Sequence, residues 1–98
     1  MKVIIQTPEF KAKQELLDLV EEKVQKLEKF NERIIDARVT LKIDKSDSRE
    51  NKICEIRIGI PGNDLYVGKN AETFEEAIAF ATDAMKRQVV ESRKKVVS

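Results

Sequence analysis

The residues best suited to chemistry in this chain are cations. Lys86, Arg87, Arg93, Lys94 and Lys95 crowd the stretch KRQVVESRKK (86–95), where Glu91 is the single acid. At about 100° of rotation per helical residue, Lys86, Arg87, Arg93 and Lys94 share one arc beside an apolar stripe of Phe74, Ile78, Ala81, Met85 and Val89. Four such side chains could meet one anion together. They also have a plainer use, because cations at the C-terminal end of a helix complement the negative end of its dipole and charged faces keep small domains in solution. A second set, Lys23, Lys26, Lys29 and Arg33, ends the first apolar-periodic stretch and carries the same two readings.

Other chemistry finds little support. Histidine is absent, which removes the commonest general base and metal ligand. The lone Cys54 sits inside the alternating run KICEIRIGI, where a small buried hydrophobe is the natural reading. No glycine-rich phosphate loop and no clustered cysteine ligands occur. The expectation is a binding protein and not an enzyme, with no metal, no cofactor and no small-molecule substrate. One cysteine allows no internal disulfide, no apolar run is long enough to span a membrane, and MKVIIQTPEF lacks the features of a secretory signal. A cytoplasmic location follows as the expectation. The net charge is only +1, yet residues 83–98 hold five basic and two acidic side chains, which leaves −2 for the remainder. Affinity for a polyanion therefore has to come from segregated charge.

Those cations need elements to position them. Lys2 to Gln6 alternates loosely and reads as a short strand ended by Thr7-Pro8. Pro8 suits the first turn of a helix, although the clear helical period begins near Leu16. From there Leu16, Val20, Val24 and Leu27 form a stripe flanked by Leu17, with Glu15, Asp18, Glu22, Lys26 and Lys29 opposite. Ile35, Ala37, Val39, Leu41 and Ile43 alternate with polar residues and predict a strand with one wet face. The polar loop Asp44–Asn51 leads to a second alternating strand whose inward set is Cys54, Ile56, Ile58 and Ile60. Pro61-Gly62-Asn63-Asp64 supplies a reversal, and Leu65 to Ala71 predicts a third strand before Thr73 caps the last helix, with Glu75 and Glu76 in its first turn. The expected fold is α+β, β-α-β-β-β-α, a four-stranded sheet with two helices packed on one face, in a single domain spanning 1–98.

The uncovered face of such a sheet would carry Arg38, Thr40, Lys42, Arg57 and Tyr66. One tyrosine makes no paired aromatic platform for stacking bases, so recognition of folded RNA by backbone and shape is the better expectation.

The segments LVEEKVQKLEKFNERI, ARVTLKIDK, EIRIGIPGNDLYV and AETFEEAIAFATDAMKRQV, followed by the basic tail, resemble the ribosome hibernation promoting factors, also described as ribosome-associated inhibitors or modulators of sigma-54. The most specific parts are Lys23-Lys26-Leu27-Phe30, Ala71-Phe74-Ala77-Ile78, and Asp83-Met85-Arg87-Gln88-Val89 in their order and spacing. The resemblance implies the same β-α-β-β-β-α order. It further implies binding to the small ribosomal subunit and its rRNA in the channel used by mRNA and tRNA, inhibition of translation and a part in stress response. Lys23, Lys26, Arg87, Arg93 and Lys95 would face ribosomal RNA. Ala84 and Glu91 stand where relatives often have a basic residue, and the chain resembles the short form without the C-terminal dimerisation domain.

Two alternatives compete. A double-stranded-RNA-binding domain has a related layout but places its key lysines at the start of the last helix, where this chain has Glu75 and Glu76. A protein-interaction module would use the open sheet face or Phe80 and Val90 of the last helix. A gradient profile of cell lysate separates a ribosome ligand, which travels with small subunits, from such a module.

Overall fold

The computed structural model describes residues 1–46 and 48–94, Lys94 by its backbone only. Strand β1 (Lys2–Gln6) leads to helix α1 (Gln14–Gln25), which tightens into a 3-10 segment (Lys26–Phe30). Strands β2 (Asp36–Ile43), β3 (Lys52–Ile60) and β4 (Asn63–Ala71) follow, and helix α2 (Phe74–Lys94) closes the order. The sheet runs β1-β2-β3-β4, with β1 parallel to β2 and the other two pairs antiparallel. This is the expected β-α-β-β-β-α arrangement.

Period-two alternation sets which side of the sheet is dry. Ala37 pairs with Ile58, Val39 with Ile56 and Leu41 with Cys54, and all six are fully buried. Val3 and Ile5 extend the first two rows across β1 and pack against the same core. α2 covers these rows with Ala77, Ile78, Ala81, Met85 and Val89, none of them exposed. Ala77 and Ala81 have no side-chain bulk beyond Cβ, so the helix backbone can approach the sheet, while Ile78, Met85 and Val89 fill the space on either side. α1 adds Val20 and Val24, and Leu27 continues its stripe. Each large aliphatic side chain taken out of water here contributes about 1.5–3 kcal/mol.

The helix starts differ in kind. Thr73 caps α2: the Glu76 N–H donates to its Oγ1 at 3.1 Å, and the hydroxyl donates to Glu76 Oε1 at 3.1 Å. α1 has no side-chain cap, only the N–H groups of Leu16 and Leu17 donating to the Lys13 carbonyl. Pro8 therefore belongs to a turn ahead of the helix, and the neighbouring Phe10 stacks on Phe74 at 4.8 Å between centroids.

Two sequence expectations shift. Ile35 is not part of the inward row: it precedes β2 and stands 61% exposed, while its neighbour Ile34 is buried. The pleat starts only at Asp36, so the alternation that reads correctly from Ala37 onward does not reach back to Ile35. β4 begins at Asn63 and not at Leu65, because Pro61-Gly62 alone makes the turn and Ile60 already pairs with Asn63. Gly62 sits at φ 86°, the left-handed position that follows proline in a type II turn.

Burial, reinforced by the neighbouring Glu55 charge, pushes the Cys54 thiol up to about 12. The expected outcome is that thiol reagents leave the native protein unmodified at neutral pH and react once urea unfolds it. Cys54→Ala should lower unfolding free energy by roughly 1 kcal/mol, and rapid labelling of the native protein would contradict the placement of Cys54 in the core.

Candidate nucleic-acid interface

Where α1 gives way to the 3-10 segment, three lysines fall into line. In a 3-10 turn residues three apart eclipse one another, whereas in an α-helix they drift by about 60°. Lys26 and Lys29 therefore stay on the side that Lys23 occupies one turn earlier, and Leu27 and Phe30 share the side turned toward the core. α2 lies alongside. Together Lys23, Lys26, Leu27, Lys29 and Phe30 on one wall and Ala79, Thr82, Asp83 and Lys86 on the other enclose a groove of about 380 Å³.

The groove is rimmed with charge and floored with carbon. Lys26 Nζ lies 3.6 Å from Glu22 in an exposed i,i+4 pair, the kind worth only a few tenths of a kcal/mol. Lys86 reaches across from α2 and places its ammonium 4.7 Å from the centre of the Phe30 ring. Among the described residues Lys23, Lys29 and Lys86 form no ion pair. Three cations without a carboxylate partner among the described residues thus face one cleft, which Asp83 also lines.

Lys86 and Arg87 do not act on one side of the helix. Arg87 lines a separate depression against β4 with Asn63, Leu65, Gln88, Glu91 and Ser92, and donates to Asp83 at 3.3 Å. Arg93, exposed, lies two turns beyond Lys86, about 20° away around the axis. Arg33 stands exposed in the turn after Phe30. Lys94 ends α2, and Lys95 lies outside the described residues.

A buried asparagine joins the two basic ends. Asn31, 3% exposed, donates from Nδ2 to Ser92 Oγ at 3.1 Å and accepts the Arg33 N–H on Oδ1 at 2.9 Å. Ser92 Oγ in turn donates to the Val89 carbonyl at 2.7 Å. The backbone beside Arg33 is thereby held against the last turns of α2, next to Arg93. Sequence reasoning missed both this contact and the part played by the Phe30 ring. The signal for Asn31 was only that a polar turn former follows the last apolar residue of the helical stretch.

The open face of the sheet is different. Lys42 pairs with Glu55 at 2.9 Å, the Tyr66 hydroxyl donates to the same carboxylate at 2.9 Å, and Arg57 lies 3.8 Å from Asp64 with its guanidinium 5.5 Å from the Tyr66 ring centre. Lys42 and Arg57 are thus answered by acids of the same face, whereas Arg38 forms no ion pair among the described residues.

A scan against protein families matches the sigma 54 modulation protein / S30EA ribosomal protein model over residues 3–97. The chain belongs to that family. Among curated relatives, a ribosome hibernation promotion factor of Deinococcus radiodurans is 31% identical over 74 residues. That match covers 74% of this chain and 38% of the relative, so the chain spans about two fifths of its length. Among solved structures, the N-terminal domain of Thermus thermophilus Protein Y superposes with a TM-score of 0.79 at 22% identity, over 93% of this chain and 98% of that one. A ribosomal subunit interface protein from Coxiella burnetii superposes with a TM-score of 0.85 at 14% identity, over 97% and 100%. At those identities the two structures speak for the fold.

The Glu55 network has a pH signature. Partial burial alone would raise the Glu55 carboxyl, but hydrogen bonds from Lys42 and Tyr66 and the charges of Lys42 and Arg57 outweigh it and hold the group below the usual carboxylate range. A depressed folded pKa stabilises the fold above the ordinary carboxylate value, about 4.3, and the contribution is lost as pH falls through the folded value. Glu55→Gln should therefore lower stability at pH 7 and have little effect at pH 2. Urea titrations of both proteins at the two pH values measure this, and an equal difference at both would remove the network as a source of stability.

Proposed function

We propose that this chain binds the small ribosomal subunit through its RNA, in the channel used by mRNA and tRNA, and holds translation off in idle ribosomes. Its family membership supports that reading, and so does the description of its Deinococcus radiodurans relative as a ribosome hibernation promotion factor. The observation that carries it is the alignment of Lys23, Lys26 and Lys29 opposite Lys86 across one groove, three of the four without an ion pair among the described residues. A chain of net charge +1 has no general attraction for polyanions, so a local array of this density is what phosphates would meet.

In this reading Lys23, Lys26, Lys29 and Lys86 form the centre of the contact. Arg33 and Arg93 extend it toward the end of α2, and Arg87, Lys94 and Lys95 add charge at its margin. The protein acts by occupancy and not by catalysis, and it needs no cofactor. It works in the cytoplasm, where ribosomes are.

Replacing Lys23, Lys29 and Lys86 by Glu should leave the thermal melt near that of the parent and abolish co-sedimentation with purified small subunits at moderate salt. Arg87→Glu with Lys94→Glu should cause a smaller loss. A triple variant that melts like the parent and still sediments with the subunit would overturn the proposal in favour of a protein-interaction module. For the parent, if about five cations each neutralise one phosphate, log affinity should fall against log salt with a slope on the order of −3.5. A flat salt response would remove electrostatics as the main contribution.

A further inference from the structure

A groove that only gripped phosphates would have no use for an apolar floor. Here the floor is Leu27, the Phe30 ring and Ala79, and the whole is about 380 Å³, near the lower end of the range for small-ligand pockets. Its two walls also differ in charge, the α1 side wholly basic and the α2 side mixed. Lys23, Lys26 and Lys29 line the α1 side, whereas the α2 side carries the Asp83 carboxylate, which repels a phosphate, together with Lys86. Lys86, itself exposed, rests its ammonium over the Phe30 ring at 4.7 Å, so an aromatic face is available to any flat group that takes the place of the ammonium.

We propose that the groove holds one unpaired nucleotide of the RNA, with its phosphate against Lys23, Lys26 and Lys29 and its base stacked on Phe30. The inference rests on the RNA-binding reading above and narrows it from phosphate recognition to recognition of single-stranded RNA. On entry the base displaces the Lys86 ammonium from the ring, and Lys86 turns to the incoming phosphate. Charge draws the backbone to the α1 wall, and the ring selects for a strand whose bases are not already paired. A base held within a duplex presents no free face to Phe30. A bare polyanion makes no use of the ring at all.

Fluorescence anisotropy of the full chain with labelled oligocytidylate tests this, beside labelled polyphosphate of matched charge and a fully paired RNA duplex of the same length. The parent should bind oligocytidylate more tightly than either of the others. Phe30→Leu should weaken oligocytidylate binding about tenfold, the scale of one lost base–aromatic stack, and leave polyphosphate binding unchanged. Phe30→Met, which keeps apolar volume without a ring, should do the same if the leucine variant packs poorly. Lys86→Gln should weaken oligocytidylate and polyphosphate binding alike. Equal loss of both probes in the Phe30 variants, no loss of either, or a parent that binds duplex as well as single strand would overturn the proposal. A parent that co-sediments with small subunits but does not prefer oligocytidylate to polyphosphate sinks the nucleotide site and leaves the ribosome reading standing. A parent that prefers oligocytidylate but ignores the subunit does the reverse.

Discussion

Burial of one face of α2 fixes the position of nearly everything that carries charge. Ala77, Ile78, Ala81, Met85 and Val89 are withdrawn completely from water against β3 and β4, and the two alanines permit the close approach. The flanks of the helix are then committed. One flank faces α1 and the 3-10 segment and presents Lys86, and the other faces β4 and presents Arg87. A shift of the buried stripe by one residue would rotate the flanks by about 100° and separate Lys86 from Phe30. The core and the candidate interface are thus one packing problem.

The distribution of charge follows the same division. On the open sheet face Lys42, Arg57, Glu55, Tyr66 and Asp64 satisfy one another, and that face adds solubility and a measure of acid-sensitive stability. In the groove, among the described residues, the cations form no ion pair apart from the weak Glu22–Lys26 contact, although Asp83 lines the far wall. Near-zero net charge then becomes an advantage: the chain avoids non-specific attraction to nucleic acid and concentrates its positive potential where the surface is also concave and partly apolar.

Much of this was legible in the sequence because burial is periodic. The alternation of Ala37, Val39 and Leu41 and of Cys54, Ile56 and Ile58 placed the sheet and its dry side, and the Thr73 cap with the α2 stripe placed the last helix. The exceptions lie where local geometry departs from a regular period. Ile35 matches the strand period but precedes the pleat. The tightening of the helix after Gln25 cannot be read from a wheel drawn at constant pitch, yet it is what aligns Lys29 with Lys26. The separation of Lys86 from Arg87 depends on which neighbours flank α2, and the Asn31–Ser92 contact joins residues far apart in sequence. Local pattern shows at most a polar turn former at Asn31, and not its partner. The cations themselves were visible, but how they group was decided by tertiary packing.

In the proposed complex the groove side of the molecule, and not the sheet face, meets the RNA of the small subunit. Because Cys54 is buried and its thiol is held protonated, an engineered surface cysteine can be labelled selectively with an iron chelate that generates hydroxyl radicals. Glu22→Cys places the label beside the groove, and Asn70→Cys places it on β4, away from it. Strong, localised cleavage of small-subunit RNA is expected from the label at position 22 and much weaker cleavage from position 70. Stronger cleavage from position 70, or none from position 22 when the labelled protein is bound, would contradict that arrangement.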